Sequence, residues 1–157
     1  ADAGAGALYS KVPDYPHRSR AALMEMFRQK GSRLDLDEDG LLRGGLLVRV
    51  LVLPNAVAGV SETLSWIAET LSPKVAISLM AQYYPIHRAA ANAKYEALNR
   101  SITAEEWERA LADLEGNGLF NGYQQELETS NRYYRPDFRD RTTPFRDIRD
   151  FGRGSPC

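Results

Sequence analysis

Apolar positions recur with two different periods along this chain, and the two periods divide it into helices and strands. From Pro16 to Lys30, the residues Ala21, Leu23, Met24, Met26 and Phe27 form a stripe that predicts a helix, with Gly31 placed to end it. Leu34 to Leu36 and the run from Leu41 onward flank Asp37-Glu38-Asp39-Gly40, a turn sequence that predicts a hairpin. Leu46 to Leu53 is apolar at every position except Arg49 and predicts a strand buried on both faces. Ser61 is placed to cap a helix running to about Leu71, with Leu64, Ile67, Ala68 and Leu71 at helical spacing and Pro73 beyond its end. A second apolar strand is predicted from Val75 to Tyr83. Strand, helix and strand, with a crossover of roughly twenty residues, make a βαβ unit and require parallel pairing.

After a loop or short helix from His87 to Leu98, Thr103 and Glu106 have the spacing of a capping box. They open a helix carrying Trp107, Ala110, Leu111 and Leu114, which ends at Gly116 or Gly118. Beyond Asn121 the chain is rich in Tyr, Arg, Asp and Pro, and residues 144–157 are expected to form an unpacked tail. Two parallel strands and a hairpin are too few for a comfortable open sheet or a barrel. The α/β pattern is therefore expected to be part of a larger one, in keeping with a chain that opens on Ala1-Asp2-Ala3 without an initiator methionine.

Arg49 is the residue that needs an explanation. An unpaired charge in a core strand costs several kcal/mol, so its presence points to a partner, a ligand or a site. Alternation places it on the face shared by Leu47, Leu51 and Leu53. In parallel α/β folds, sites lie at the carboxyl ends of strands. Here those ends are Leu53-Pro54-Asn55 and Gln82-Tyr83-Tyr84-Pro85, which makes Arg49, Gln82 and Tyr83 the candidate binding residues. The competing explanation is an internal ion pair between Arg49 and a core carboxylate.

Composition narrows the function classes. The chain has 157 residues, 43% of them hydrophobic, and a formal net charge of −1, so it can bury a core and shows no basic surplus for nucleic acid. The arginines between Arg132 and Arg153 are interleaved with aspartates and predict solvated mixed charge. One cysteine, Cys157, excludes an intrachain disulfide. The longest apolar run is too short to span a bilayer, and Ala1 to Ala7 does not have the pattern of a signal peptide, so no membrane contact and a cytoplasmic location are expected.

The spacing of other polar residues gives weaker signals. Asp35-x-Asp37-x-Asp39-Gly40 matches the first half of a calcium loop, but its twelfth position is Leu46, so a hairpin turn is the stronger expectation. His17 and His87 are the only histidines and have no metal-ligand spacing. No catalytic or metal-binding residue is assigned.

One set of segments goes further when read in order. It runs Tyr9-Ser10-Lys11-Val12-Pro13-Asp14-Tyr15, Gly45-Leu46-Leu47-Val48-Arg49, Leu51-Val52-Leu53-Pro54-Asn55 and Leu79-Met80-Ala81-Gln82-Tyr83. It continues with Asn99-Arg100-Ser101-Ile102-Thr103, Gly118-Leu119, Asn121-Gly122 and Arg135-Pro136-Asp137-Phe138. In order and spacing, from about Tyr9 to Phe145, the chain resembles the C-terminal half of radical S-adenosylmethionine proteins of the pyruvate formate-lyase activating enzyme-like branch.

The resemblance implies the C-terminal part of a partial (β/α) TIM-like barrel, over residues 1–143, with the two apolar strands as its fifth and sixth. It implies S-adenosylmethionine and a 4Fe–4S cluster in the parent protein, an oxidoreductase-type radical generator. A glycyl radical enzyme would be a possible protein substrate. Arg49 would point into the barrel near S-adenosylmethionine or the substrate, and Gln82 and Tyr83 would lie where the last strand approaches the nucleoside. The family's Cys-x-x-x-Cys-x-x-Cys is not in this sequence, so the chain alone is expected to hold neither cofactor and to be inactive. Val50, Ala81 and Tyr84 stand where relatives often carry His, Asp and Arg. The alternative expectation is a non-catalytic binding or assembly module that docks or self-associates through an exposed sheet edge.

Overall fold

A computed structural model describes residues 3–127. The expectations for the basic run after Arg132, for the tail 144–157 and for Cys157 lie outside the described residues. Two short helical segments, α1 (Ala3–Ala5) and a wide turn at Gly6–Ser10, lead into α2 (Tyr15–Lys30), which ends at Gly31 with φ 66°. The hairpin follows as β1 (Asp35–Leu36) and β2 (Leu42–Gly44), paired antiparallel. Its turn is held by Asp37, whose carboxylate accepts from the Asp39 and Leu41 amides at 3.1 and 2.8 Å and from Arg43 Nε at 2.6 Å. With Asp37 so engaged by its own turn, the hairpin expectation is met.

The remaining elements build a layered α/β unit. β3 (Leu47–Leu51), α3 (Val60–Thr70), β4 (Ala76–Met80), α4 (Arg88–Ala91), a 3-10 segment Ala93–Leu98, α5 (Ala104–Gly116) and β5 (Gly122–Gln124) follow in order. The sheet order is β3-β4-β5, and both pairings are parallel. Among the described residues the sheet does not close into a barrel. Val48, Val50 and Val52 stand beside Ile77, Leu79 and Ala81 on one face, and that face packs on Leu64 and Ile67 of α3 and on Trp107, Ala110 and Leu114 of α5. Pairing Leu47 with Ala76 and Leu51 with Met80 fixes this register, and a slip of one residue would turn the core face outward.

Three findings differ from the sequence expectations. The third parallel strand, β5, was not anticipated, because Gly122-Tyr123-Gln124 is exposed at every position and has no apolar alternation. Gly122 is what permits it. A Cβ there would sit 2.0 Å from the Ile77 carbonyl oxygen, and its φ is 119°. Second, α3 starts one residue before Ser61 and is preceded by Gly59 at φ 57°, with no side-chain cap. Third, α2 buries none of its residues. Leu23 and Phe27 lean on the core, but Met24 and Met26 are exposed. No helix among the described residues is long and apolar enough to cross a membrane.

Candidate functional site

Strand alternation sorts β3 into two sets of residues with different surroundings. Val48 and Val50 are buried, Leu47 and Leu51 are half-buried, and Arg49 is exposed. The expectation of a strand buried on both faces is therefore corrected. The core helices α3 and α5 pack on the Val48 side, while on the Arg49 side Ala76 and Met80 of β4 are buried, Ser78 is half-buried and Arg49 itself is exposed. A charge at Arg49 costs little because water reaches it. Its Nη2 lies 3.0 Å from the Met80 sulfur across the β3–β4 pairing, a weak contact to a soft acceptor. The described ion pairs all involve other residues, so Arg49 has no carboxylate partner among the described residues.

Gln82 continues the alternation of Ser78 and Met80 just past the end of β4. Its Oε1 accepts from Gln125 Nε2 at 3.1 Å, and Gln125 Oε1 in turn accepts from the Ala81 amide at 3.0 Å. This amide pair ties the chain after β5 to the chain after β4, extending the sheet beyond its backbone ladder. Tyr83 is held differently. Its hydroxyl donates to the Leu98 carbonyl at 2.7 Å, in the crossover that leads to α5. Burial pushes the Tyr83 hydroxyl up from its ordinary pKa, and nearby Tyr9 adds to that. The structure thus brings Arg49 and Gln82 to the side of the sheet away from α3 and α5, while Tyr83 is anchored to the crossover.

A polar hub that the residue pattern did not reveal sits at the carboxyl end of β3. Asn55 adopts left-handed backbone angles, and its amide donates to Glu106 Oε1 at 2.6 Å. Its side chain donates to the Ala97 carbonyl and accepts from Arg100 Nη2, at 2.8 and 2.9 Å. Arg100 grips both oxygens of Glu106 at 2.8 Å, and Glu106 completes the expected capping box with Thr103. One carboxylate therefore takes four donors: two N–H groups of the Arg100 guanidinium, the Thr103 amide and the Asn55 amide. The Arg100 hydrogen bonds hold Glu106 at about 2, well below the ordinary carboxylate value. With every lone pair engaged and its pKa far from neutrality, Glu106 fixes the loop and has no capacity for proton transfer near pH 7. Pro54-Asn55 and the capping-box spacing were the legible parts of this hub. Arg100, which joins them, was visible only as a matched segment.

Beside the hub, a cleft of about 710 Å³ is lined by Tyr9, Pro16, Arg20, Asn55, Val57 and Glu62, among others. It lies between the segment entering α2 and the loop leaving β3. Arg20 is stacked over the Trp66 ring at 5.2 Å, which joins α2 to α3.

The residues present do not fit an iron–sulfur cluster. No group of three or more His, Cys, Asp or Glu among the described residues could hold a metal ion, and the sequence contains one cysteine. Arg49 offers an exposed guanidinium, and the Gln82 side-chain oxygen is engaged by Gln125. No family model matches the chain, and no curated protein or solved structure matches it either.

Proposed function

We propose that this chain is the C-terminal portion of a radical S-adenosylmethionine iron–sulfur protein resembling pyruvate formate-lyase activating enzyme. In this reading it supplies later strands of a partial (β/α) barrel of radical S-adenosylmethionine type. Arg49 and Gln82 bind from the inner face, and Tyr83 positions the crossover behind them. A partner glycyl radical enzyme is the protein substrate, and the setting is cytoplasmic. The cluster thiolates must come from outside this sequence, and the chain alone is inactive. The observation that supports this reading best is a parallel sheet whose core helices α3 and α5 both pack on one face. Helices outside a parallel sheet are the arrangement of a (β/α) barrel, whose sites lie at the carboxyl ends of its strands.

The second reading is a non-catalytic assembly module that uses its open sheet edge, and it is favoured by the presence of only one cysteine in the sequence. The polypeptide encoded by the full reading frame around Ala1 decides between them. Reconstituted anaerobically with iron and sulfide and given reductant, it is expected to release 5′-deoxyadenosine from S-adenosylmethionine. Arg49→Ala should lower that release about tenfold or more, the loss of one charge-assisted contact. A full-length protein with no three-cysteine motif and no release overturns the first reading in favour of the second.

A further inference from the structure

Two Asn-Gly pairs stand close together after α5, Asn117-Gly118 and Asn121-Gly122. The dipeptide is prone to lose the asparagine amide, because glycine leaves the following nitrogen unshielded and free to turn. What decides each case is whether that nitrogen is already committed. Gly118 is committed: its amide donates to the Glu115 carbonyl at 2.9 Å, just past the end of α5. Asn117 is half-buried, and its side-chain and backbone amides both donate to the Asp113 carbonyl, at 2.7 and 3.2 Å. That pair is locked to the helix end.

Asn121-Gly122 is placed differently, with both residues exposed. The Ile77 amide donates to the Asn121 carbonyl at 2.9 Å, and the Gln125 amide donates to the Leu79 carbonyl at 3.1 Å. In a parallel ladder these bonds turn residues 121, 123 and 125 toward β4 and turn the Gly122 amide away from it. β5 is the last strand in the order β3-β4-β5, so that amide faces the edge of the described sheet. The Asn121 side chain donates to the Lys74 carbonyl at 2.9 Å, an exposed bond that water can replace.

We infer that Asn121, and not Asn117, is a site of spontaneous deamidation, and that its isoaspartyl product unfastens β5 from β4. The Gly122 nitrogen attacks Cγ of Asn121 and gives up its proton. A C–N bond forms, and the bond from Cγ to Nδ2 breaks as ammonia leaves with that proton. Water then opens the cyclic imide, giving aspartate by attack at Cγ and isoaspartate by attack at the backbone carbonyl carbon. In isoaspartate the main chain runs through Cγ and is longer by a methylene, and the former backbone carbonyl is a carboxylate that no longer leads to Gly122. That carbonyl is the acceptor of the Ile77 amide. Gly122 has no slack to absorb the added length, since its φ is 119° and even a Cβ would lie 2.0 Å from the Ile77 carbonyl oxygen. Losing β5 also frees Gln125, whose side chain bonds Gln82 and the Ala81 amide. The modification thus reaches a candidate binding residue through the sheet, and it does not depend on radical chemistry.

Peptide mapping of the 157-residue chain, held at mildly alkaline pH both folded and in urea, tests the selectivity. In urea the two asparagines should convert at similar rates, as identical dipeptides. In the folded chain Asn121 should convert faster than Asn117 by about tenfold or more, since Asn117 must first open its helix end. Fragment spectra assign the mass gain to each residue, and an isoaspartyl methyltransferase labels the isoaspartate. Equal folded rates, a faster Asn117, or an Asn121 that converts only in urea overturns the inference. Amide exchange of the separated isoaspartyl form tests the consequence. Its Ile77 and Gln125 amides should exchange faster than in the unaltered chain by about tenfold or more, while the Val52 amide, bonded to Met80 across β3 and β4, stays slow. Asn121→Asp carries the same new charge without the added methylene and should leave Ile77 slow. Unchanged Ile77 exchange in the isoaspartyl form overturns the release of β5. Equally fast exchange in Asn121→Asp assigns the release to charge and overturns the backbone explanation.

Discussion

The two faces of the same short sheet are made by alternate residues of the same strands, yet they have opposite characters. On one face Val48, Val50, Ile77 and Leu79 are buried under α3 and α5, with Leu79 at 0% exposure. On the other, Ala76 and Met80 of β4 are buried, but Leu47 and Leu51 are half-buried, Arg49 is exposed, and Ser78 and Gln82 bring polar groups. Neighbouring residues along one strand therefore serve different ends. The even-numbered face of β3 carries the core of the described unit, and the odd-numbered face of that strand does not.

The sharpest way to break this comparison is to remove the same bulk from each face. Leu79→Ala should cost about 3–4 kcal/mol, because it empties a site with no water and helices packed on it. Leu51→Ala on the odd-numbered face of β3 should cost under about 1 kcal/mol. Urea unfolding of the two variants measures the difference, and equal losses would mean that the second face is also core.

The hub at the carboxyl end of β3 gives a second, intermediate effect. Glu106→Gln keeps the shape but sets an amide N–H against Arg100 or the Thr103 amide, and it should cost about 2 kcal/mol. The pH dependence has a definite sign. Glu106 is held at about 2 when folded, against an ordinary 4.5, so its contribution is complete above about pH 4.5. It is lost as the pH falls from there toward 2. Unfolding midpoints measured from pH 6 down to pH 2.5 should fall more steeply for the unaltered chain than for Glu106→Gln, and the two curves should converge at the acid end.

Legibility from sequence followed the range of the interactions. The Asp37 turn, the stop at Gly31 and the Thr103–Glu106 box each span a few residues, and each could be read from spacing alone. Burial was harder. Leu46 to Leu53 is apolar on both faces and reads as doubly buried, and the one local sign that its odd face is open was Arg49 itself. β5 gave no periodic signal because its role is backbone pairing around Gly122, not side-chain burial. The Asn55–Arg100 contact joins residues 45 positions apart, and no local pattern reports it. Of the candidate residues, Arg49 and Gln82 lie on the same side of the sheet. Tyr83 is bound to the Leu98 carbonyl, a contact that depends on how the crossover folds back.

Arg49 tests the central claim most directly, because a residue reserved for a ligand or partner should contribute little to the fold around it. The measurement is the unfolding free energy of Arg49→Leu in urea, compared with the unaltered 157-residue chain. If the odd-numbered face of β3 is not part of the core, the change should lie within about 0.5 kcal/mol, the usual range for an exposed position. A loss of about 2 kcal/mol or more would mean that Arg49 holds the sheet together, and the division between a supporting face and a binding face would fail.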